Sequence, residues 1–246
     1  MLPRSEAAQP PRFLGLLPAG AILLGWGLTM GFLLTRTPGT PSWPWAWLGL
    51  PLATFLYTGL FITAHDAMHG TLAPGHRRLN DGIGTLCAWL YALFSFRRLA
   101  VAHQRHHATP AVPGDPDWHD GRHDAFWPWY GAFMRRYVTW RQLAGMALAF
   151  QVLAWGLQIP LINLALFWIA PNLLSTLQLF YFGTYRVHRE PPGGHTNRHR
   201  ATSSGYPLWL SFLTCYHFGL HLAHHEHPGV PWWRLPRAVK QPDVSS

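Results

Sequence analysis

Three short histidine clusters, each at the edge of a long uncharged apolar stretch, set the terms for how this chain can fold. They read His65-Asp66-Ala67-Met68-His69, His103-Gln104-Arg105-His106-His107 and His221-Leu222-Ala223-His224-His225. On a helix, residues three and four apart lie on one face, so each cluster can aim its imidazoles at one point. Imidazole is the commonest neutral metal ligand. Eight histidines in three such groups suit two ions better than one, because a single zinc takes about four ligands.

The apolar stretches define the surroundings. Charged residues make up 12% of the 246, against 49% hydrophobic and 15% aromatic, whereas an ordinary soluble domain is roughly a quarter charged. Such a chain has too little charge to coat a globule, and lipid is the expected environment. Phe13 to Thr35 carries no charge and is long enough for one spanning helix, which needs about 20 apolar residues. It shows no cleavable-signal pattern, being too long and lacking a small-residue cleavage site. A second run, Pro44 to Ala64, is opened by Trp43, Trp45 and Trp47, as at a membrane–water interface, and delivers His65 and His69. Gly82 to Phe96 is apolar but short, which predicts a buried or half-inserted helix. Gln142 to Tyr185 has no charge and would overshoot the bilayer as one straight helix at about 1.5 Å per residue. Pro160 or Pro171 is expected to break it into an antiparallel pair. A last apolar stretch, Tyr206 to Leu220, runs into the third cluster.

These runs predict an all-α integral membrane protein with four transmembrane helices and short interfacial helices. Residues 1–246 read as one domain, with 1–12 a flexible tail. Two helices, a basic middle, two more helices and a basic end put both termini and the Arg-rich segments on one side. The positive-inside tendency makes that side cytoplasmic, so the clusters form a cap at the cytoplasmic mouth of the bundle. The net charge of +9 comes almost wholly from Arg and suits anionic lipid. No nucleic-acid fold signature is present, and nucleic acid is not an expected partner. Cys87 and Cys215 sit inside apolar runs and read as buried thiols, not a disulfide or metal knuckle.

With no thiolate beside the clusters, iron–sulfur and soft copper sites are disfavoured. Imidazole alone accepts zinc, copper, nickel or iron. The surplus of donors over what one ion uses favours two irons with positions open for oxygen. A metal-ion transporter, the rival of another class, would carry Asp or Glu along its apolar runs; here every acidic residue lies outside them. Asp66, Asp117 and Glu226 are candidates for orienting imidazoles, since metal-bound histidine usually donates its other N–H. Trp89, Tyr91, Phe94, Phe96, Phe180, Tyr181 and Phe182 are placed to line an apolar tunnel or, taken singly, to pack helices or face lipid. His76, His119, His123, His195 and His199 lie in polar loops and read as solvated, and His227, beside Pro228, as structural.

The pattern as a whole resembles the membrane fatty acid desaturase/hydroxylase superfamily, whose members carry HxxxH or HxxxxH and then HxxHH twice, on a four-helix bundle with a di-iron centre. Within it, the chain resembles the bacterial β-carotene ketolases. The matching stretches are His65-Asp66-Ala67-Met68-His69-Gly70, Asp115-Pro116-Asp117, Phe182-Gly183-Thr184-Tyr185 leading to His188-Arg189, Cys215-Tyr216-His217-Phe218-Gly219, His227-Pro228 and Val230-Pro231-Trp232-Trp233-Arg234-Leu235-Pro236. They cover most of the chain from about residue 60 onward. The resemblance implies that His188, after the fourth helix, completes nine ligands: His65, His69, His103, His106, His107, His188, His221, His224 and His225. It leaves His217, one turn before His221, as either a further ligand or a residue supporting one. One departure is Ala223, where relatives often carry an acid.

The resemblance also implies an O2-dependent oxygenase of the bacterial inner membrane, with two iron ions and a carotenoid substrate. Two hydroxylations at C4 of a β-ionone ring give a geminal diol that loses water to become a ketone. One oxygen atom leaves as water on each cycle, so an external electron donor is required. The chain has no GxGxxG fingerprint, which points to a ferredoxin-type partner. A carotenoid ring hydroxylase, a fatty acyl desaturase or an alkane hydroxylase would use the same metal centre.

Overall fold

The computed structural model describes residues 12–40 and 47–239. Trp43, Trp45 and the expected tail apart from its last residue lie outside them. The described residues form helices and no strand. They are α1 (Leu16–Leu34), α2 (Gly49–Met68), α3 (Arg77–Ala92), α4 (Phe96–Ala108), α5 (Phe126–Tyr137) and α6 (Trp140–Gln151), the last continued by a π-helical turn, Val152–Gly156. A continuous helix, α7 (Leu161–His188), contains the π turns Leu164–Ile169 and Tyr181–Tyr185. Short helices follow: α8 (Leu208–Cys215), α9 (His221–Glu226) and α10 (Leu235–Ala238).

Helix α2 is the hub, packed against α1, α3 and α7. Its Ala53, Tyr57, Leu60, Ile62 and Ala64 are fully buried. Helix α1 is uncharged throughout yet exposes Leu17, Leu24, Leu28 and Phe32. A broad apolar face left open to the surroundings is what lipid covers. By length and apolar composition two described helices can cross a membrane, α1 and α7, and a third does so if the bent pair α3–α4 is one broken span. The four spans read from the sequence are therefore matched only in part. Helix α2 has 20 residues but ends in buried His65 and Asp66, so an acidic side chain does reach the interior. Helix α6 has 12 residues before its π turn. At about 1.5 Å per residue the 28 residues of α7 reach about 40 Å, longer than the ~30 Å of a hydrocarbon layer.

Of the two candidate prolines, Pro160 makes the break. Gln158 is left-handed (φ 55°) and Pro160 opens α7, its carbonyl accepting from the Leu164 N–H at 3.2 Å. Pro171 sits within α7, just after the π turn Leu164–Ile169, whose widened backbone gives the room a mid-helix proline needs. The rings of Phe150 and Trp168, 6.4 Å apart, bring α6 beside α7. Asn163 closes the far end of α1. Its amide donates to the carbonyls of Leu33, Leu34 and Arg36 at 3.3, 3.1 and 2.7 Å, groups that a helix end otherwise leaves open. A buried chain from Tyr91 through Ser175 (3.1 Å) to Thr58 (2.9 Å) joins α3, α7 and α2.

The short apolar run at Gly82–Phe96 becomes the arm of a bent pair. Left-handed Leu93 (φ 56°) turns α4 by 101° from α3. Phe96 closes onto Gly84, where a Cβ would lie 2.3 Å from the ring. The expected helix from Tyr206 into the third cluster is also interrupted. Tyr216 (φ 49°) and His217 (φ 61°) are both left-handed. Tyr216 stacks on Phe55 with ring centroids 4.2 Å apart, a tertiary contact that outweighs local helix preference.

Candidate metal centre

The backbone brings histidines from four helices to one end of the bundle, in two groups. The first holds His65 of α2 and His69 at its C-cap, His103 and His107 of α4, and His224 of α9. The second holds His106 of α4, His188 of α7, and His221 and His225 of α9. Within each group the ligand nitrogens lie within 4.8 Å of one another. Helical geometry explains the division. Residues four apart stand about 40° from each other around the axis, and the residue three along stands about 60° to the other side. Thus His103 and His107 face one group and His106 the other, while His221 and His225 face the second group and His224 the first.

The nitrogens meet tip to tip. In the first group Nε2 of His69 lies 2.8 Å from His103, His103 lies 3.1 Å from His107 and His107 lies 3.0 Å from His224. In the second, His106–His225, His225–His221 and His221–His188 are 3.1, 3.1 and 2.9 Å apart. Two ligands at right angles on one ion, each about 2.1 Å from it, stand about 3.0 Å apart. The donor set therefore fits a cation in each group. Burial adds to the fit: both ring nitrogens of His65 and Nδ1 of His221 and His225 are buried without a hydrogen-bond partner. Burial, and after it the neighbouring imidazoles, hold His221, His224 and His225 below the ordinary histidine pKa. Neutral rings keep a lone pair for a metal.

Two rings are held from behind. His106 Nδ1 lies 3.1 and 3.0 Å from the two oxygens of Asp115. That carboxylate also accepts the N–H of Ala111 at 2.7 Å and of Asp117 at 2.8 Å. His188 Nδ1 donates to the Arg200 carbonyl at 2.9 Å, and the Arg200 guanidinium donates to the Ala111 carbonyl at 3.2 Å. One bond-linked frame thus orients a ring from α4 and a ring from α7, leaving Nε2 of each for the group.

The other predicted residues lie elsewhere. Asp117 stands 3.8 Å from His106 Nδ1 and accepts from the Tyr137 hydroxyl; burial is the main influence raising its carboxyl above the usual range. Asp66 stands 3.6 Å from His65 Nδ1, too far for a hydrogen bond, and accepts the Trp232 N–H at 3.2 Å. Glu226 is exposed. His217 is outside both groups, its Nδ1 3.2 Å from Ser211 Oγ. His76 and His123 are exposed, but His119, His195, His199 and His227 are half-buried. Asp115 was part of a noted motif, yet nothing in the sequence separates it from Asp117 as the partner of His106.

His65, His103, His106 and His221 wall one side of a small cavity of about 70 Å³. Phe61, Tyr91, Phe94, Leu99, Phe133 and Phe218 form much of the rest. Of the seven aromatics expected there, only Tyr91 and Phe94 take part. Trp89 is exposed, Phe96 is held by the α3–α4 bend, and Phe180 packs among Phe126, Trp129 and Tyr130. Gly183 lets Phe218 close on the cavity, since a Cβ there would stand 2.3 Å from the ring.

The family model described as fatty acid desaturase matches residues 41–144 and 134–241. The β-carotene ketolase of Haematococcus lacustris is 46% identical over 188 residues, 74% of this chain and 58% of that protein. The β-carotene 4-ketolase of Protosiphon botryoides is 44% identical over 204 residues, 79% of this chain and 51% of that protein. The β-carotene ketolase of Paracoccus sp. strain PC1 is 42% identical over 222 residues, 89% of this chain and 90% of that protein. The chain thus spans little more than half the length of the first two and nearly all of the third.

Proposed function

Because this chain belongs to the fatty acid desaturase family, we propose that it is a β-carotene 4-ketolase, an O2-dependent membrane oxygenase acting as one domain. It converts the C4 methylene of a β-ionone ring to a ketone by two hydroxylations, taking β-carotene through echinenone to canthaxanthin. The observation that carries this reading is the pair of histidine groups opening on a largely apolar cavity. We assign His65, His69, His103, His107 and His224 to one iron and His106, His188, His221 and His225 to the other. When bound, the two irons supply the activation of O2 that attack on an unreactive C–H bond needs. Asp115 and the Arg200 carbonyl hold His106 and His188 with Nε2 turned to the centre. The aromatic walls exclude water and seat the ring. The first hydroxylation leaves an alcohol at C4, and the second leaves a geminal diol that loses water. Each round consumes one O2, two electrons and two protons and releases one water, so an external electron donor is required, and a ferredoxin-type protein is our proposal for it. We read α1, α2, α6 and α7 as four spans of a bacterial inner membrane, with the histidine cap facing the cytoplasm and the carotenoid arriving from the bilayer.

The test is expression in a bacterium that already makes β-carotene. Echinenone and canthaxanthin are the expected products, with two irons per purified chain on this assignment. Zeaxanthin alone would leave a ring hydroxylase, and desaturated acyl chains without any change in the carotenoid would leave a desaturase.

A further inference from the structure

We propose, on the ketolase reading, that the polyene arm of the substrate lies in the groove between α6 and α7, its ring turned into the histidine cavity past Phe94, Met134 and Thr176. These three residues line both the cavity and the groove, so the two spaces adjoin. A carotenoid is a stiff rod, and the part beyond its ring must leave the cavity through an opening that shares its wall. Two openings do so. One, shared through Phe94, Leu99 and Tyr137, is edged by Arg98, Arg136 and Arg141. Covering guanidinium groups with hydrocarbon is costly, so that opening suits water or an anion.

The α6–α7 groove has no charged wall residue. Its apolar wall includes Met146, Phe150 and Trp168. Three of its polar side chains are already occupied. The Gln142 amide donates to the Ala92 carbonyl at 2.6 Å, the Asn172 amide to the Tyr91 carbonyl, and Thr176 to the Leu173 carbonyl at 2.7 Å. Apart from Gln151, whose side chain is exposed, what is left is dispersion and apolar contact, which an uncharged polyene satisfies and a polar ligand does not. Leu143 and Leu173, on the groove wall, are exposed, so the groove opens sideways, where lipid would stand. The substrate enters from the bilayer without crossing water.

Ala147 and Leu173 line the groove and are both exposed, so a larger side chain fills it without displacing the core. The experiment compares the purified, iron-loaded wild type with Ala147→Trp and Leu173→Trp. It measures iron per chain, β-carotene and phospholipid retained per chain, and ketone formed. Expected are unchanged iron, less retained β-carotene and roughly tenfold or greater loss of ketone formation. Full retention and turnover in both variants would overturn the proposal. So would lost turnover with β-carotene still retained, displacement of a phospholipid acyl chain with turnover unchanged, or loss of iron from both variants, which would assign the wall to the fold. A wild type that makes no ketone would instead remove the reading on which the proposal rests.

Discussion

Asp115 decides which nitrogen of His106 faces the histidine group. Both its oxygens lie within 3.1 Å of Nδ1, and each also accepts a backbone N–H. An asparagine cannot reproduce this, because its amide nitrogen would face one of those donors. Asp115→Asn is therefore expected to lower iron affinity or activity about 10- to 100-fold, read as iron per chain at limiting metal; a variant loading like wild type would remove Asp115 from this role. The histidines themselves were legible, because spacings of three and four on a helix need no tertiary information. Asp115 was not. It reaches His106 through a loop in which Ala111 is left-handed (φ 51°), and neither carboxylate of Asp115-Pro116-Asp117 announces that turn. His188 had no spacing partner and was reachable only through family resemblance.

At the scale of elements, α7 both closes α1 and delivers His188. Asn163→Ala would strip the Leu34 and Arg36 carbonyls of their amide donor, while the Leu33 carbonyl keeps the Arg36 N–H, and acceptors left unpaired cost about 1–3 kcal/mol. The expected result is a lower midpoint of thermal unfolding in detergent. Asn163→Asp, which also lacks the amide donor, should fall at least as far; an unchanged midpoint in both would show that water replaces the bond. Charge patterning marked Gln142–Tyr185 as too long for one helix, but not which proline would break it. That choice rests on the π turn before Pro171, which has no signature in hydropathy. The same holds for the cavity wall. Phe61, Phe133 and Phe218 come from α2, α5 and the turn after α8, segments that only packing brings together.

For the molecule as a whole, thiol labelling reads out which side of the membrane carries the histidines. Cys87 and Cys215 are both buried, so the native chain should resist a membrane-impermeant maleimide. Arg122 is exposed in the α4–α5 connection that also holds Asp115. Arg122→Cys should then provide a single reactive thiol. Labelling is expected in inverted membrane vesicles and not in intact spheroplasts. The opposite pattern would put the histidine cap on the periplasmic face.

Helix α9 supplies His224 to one group and His221 and His225 to the other. Nearby, Trp232 is hydrogen-bonded to Asp66 on α2. A ribosome that stalls before residue 221 releases a chain with four imidazoles for one group and two for the other. Both histidine groups thus wait for the same late-made turn of polypeptide, and on the proposed assignment a truncated product would carry no matched pair with which to consume oxygen.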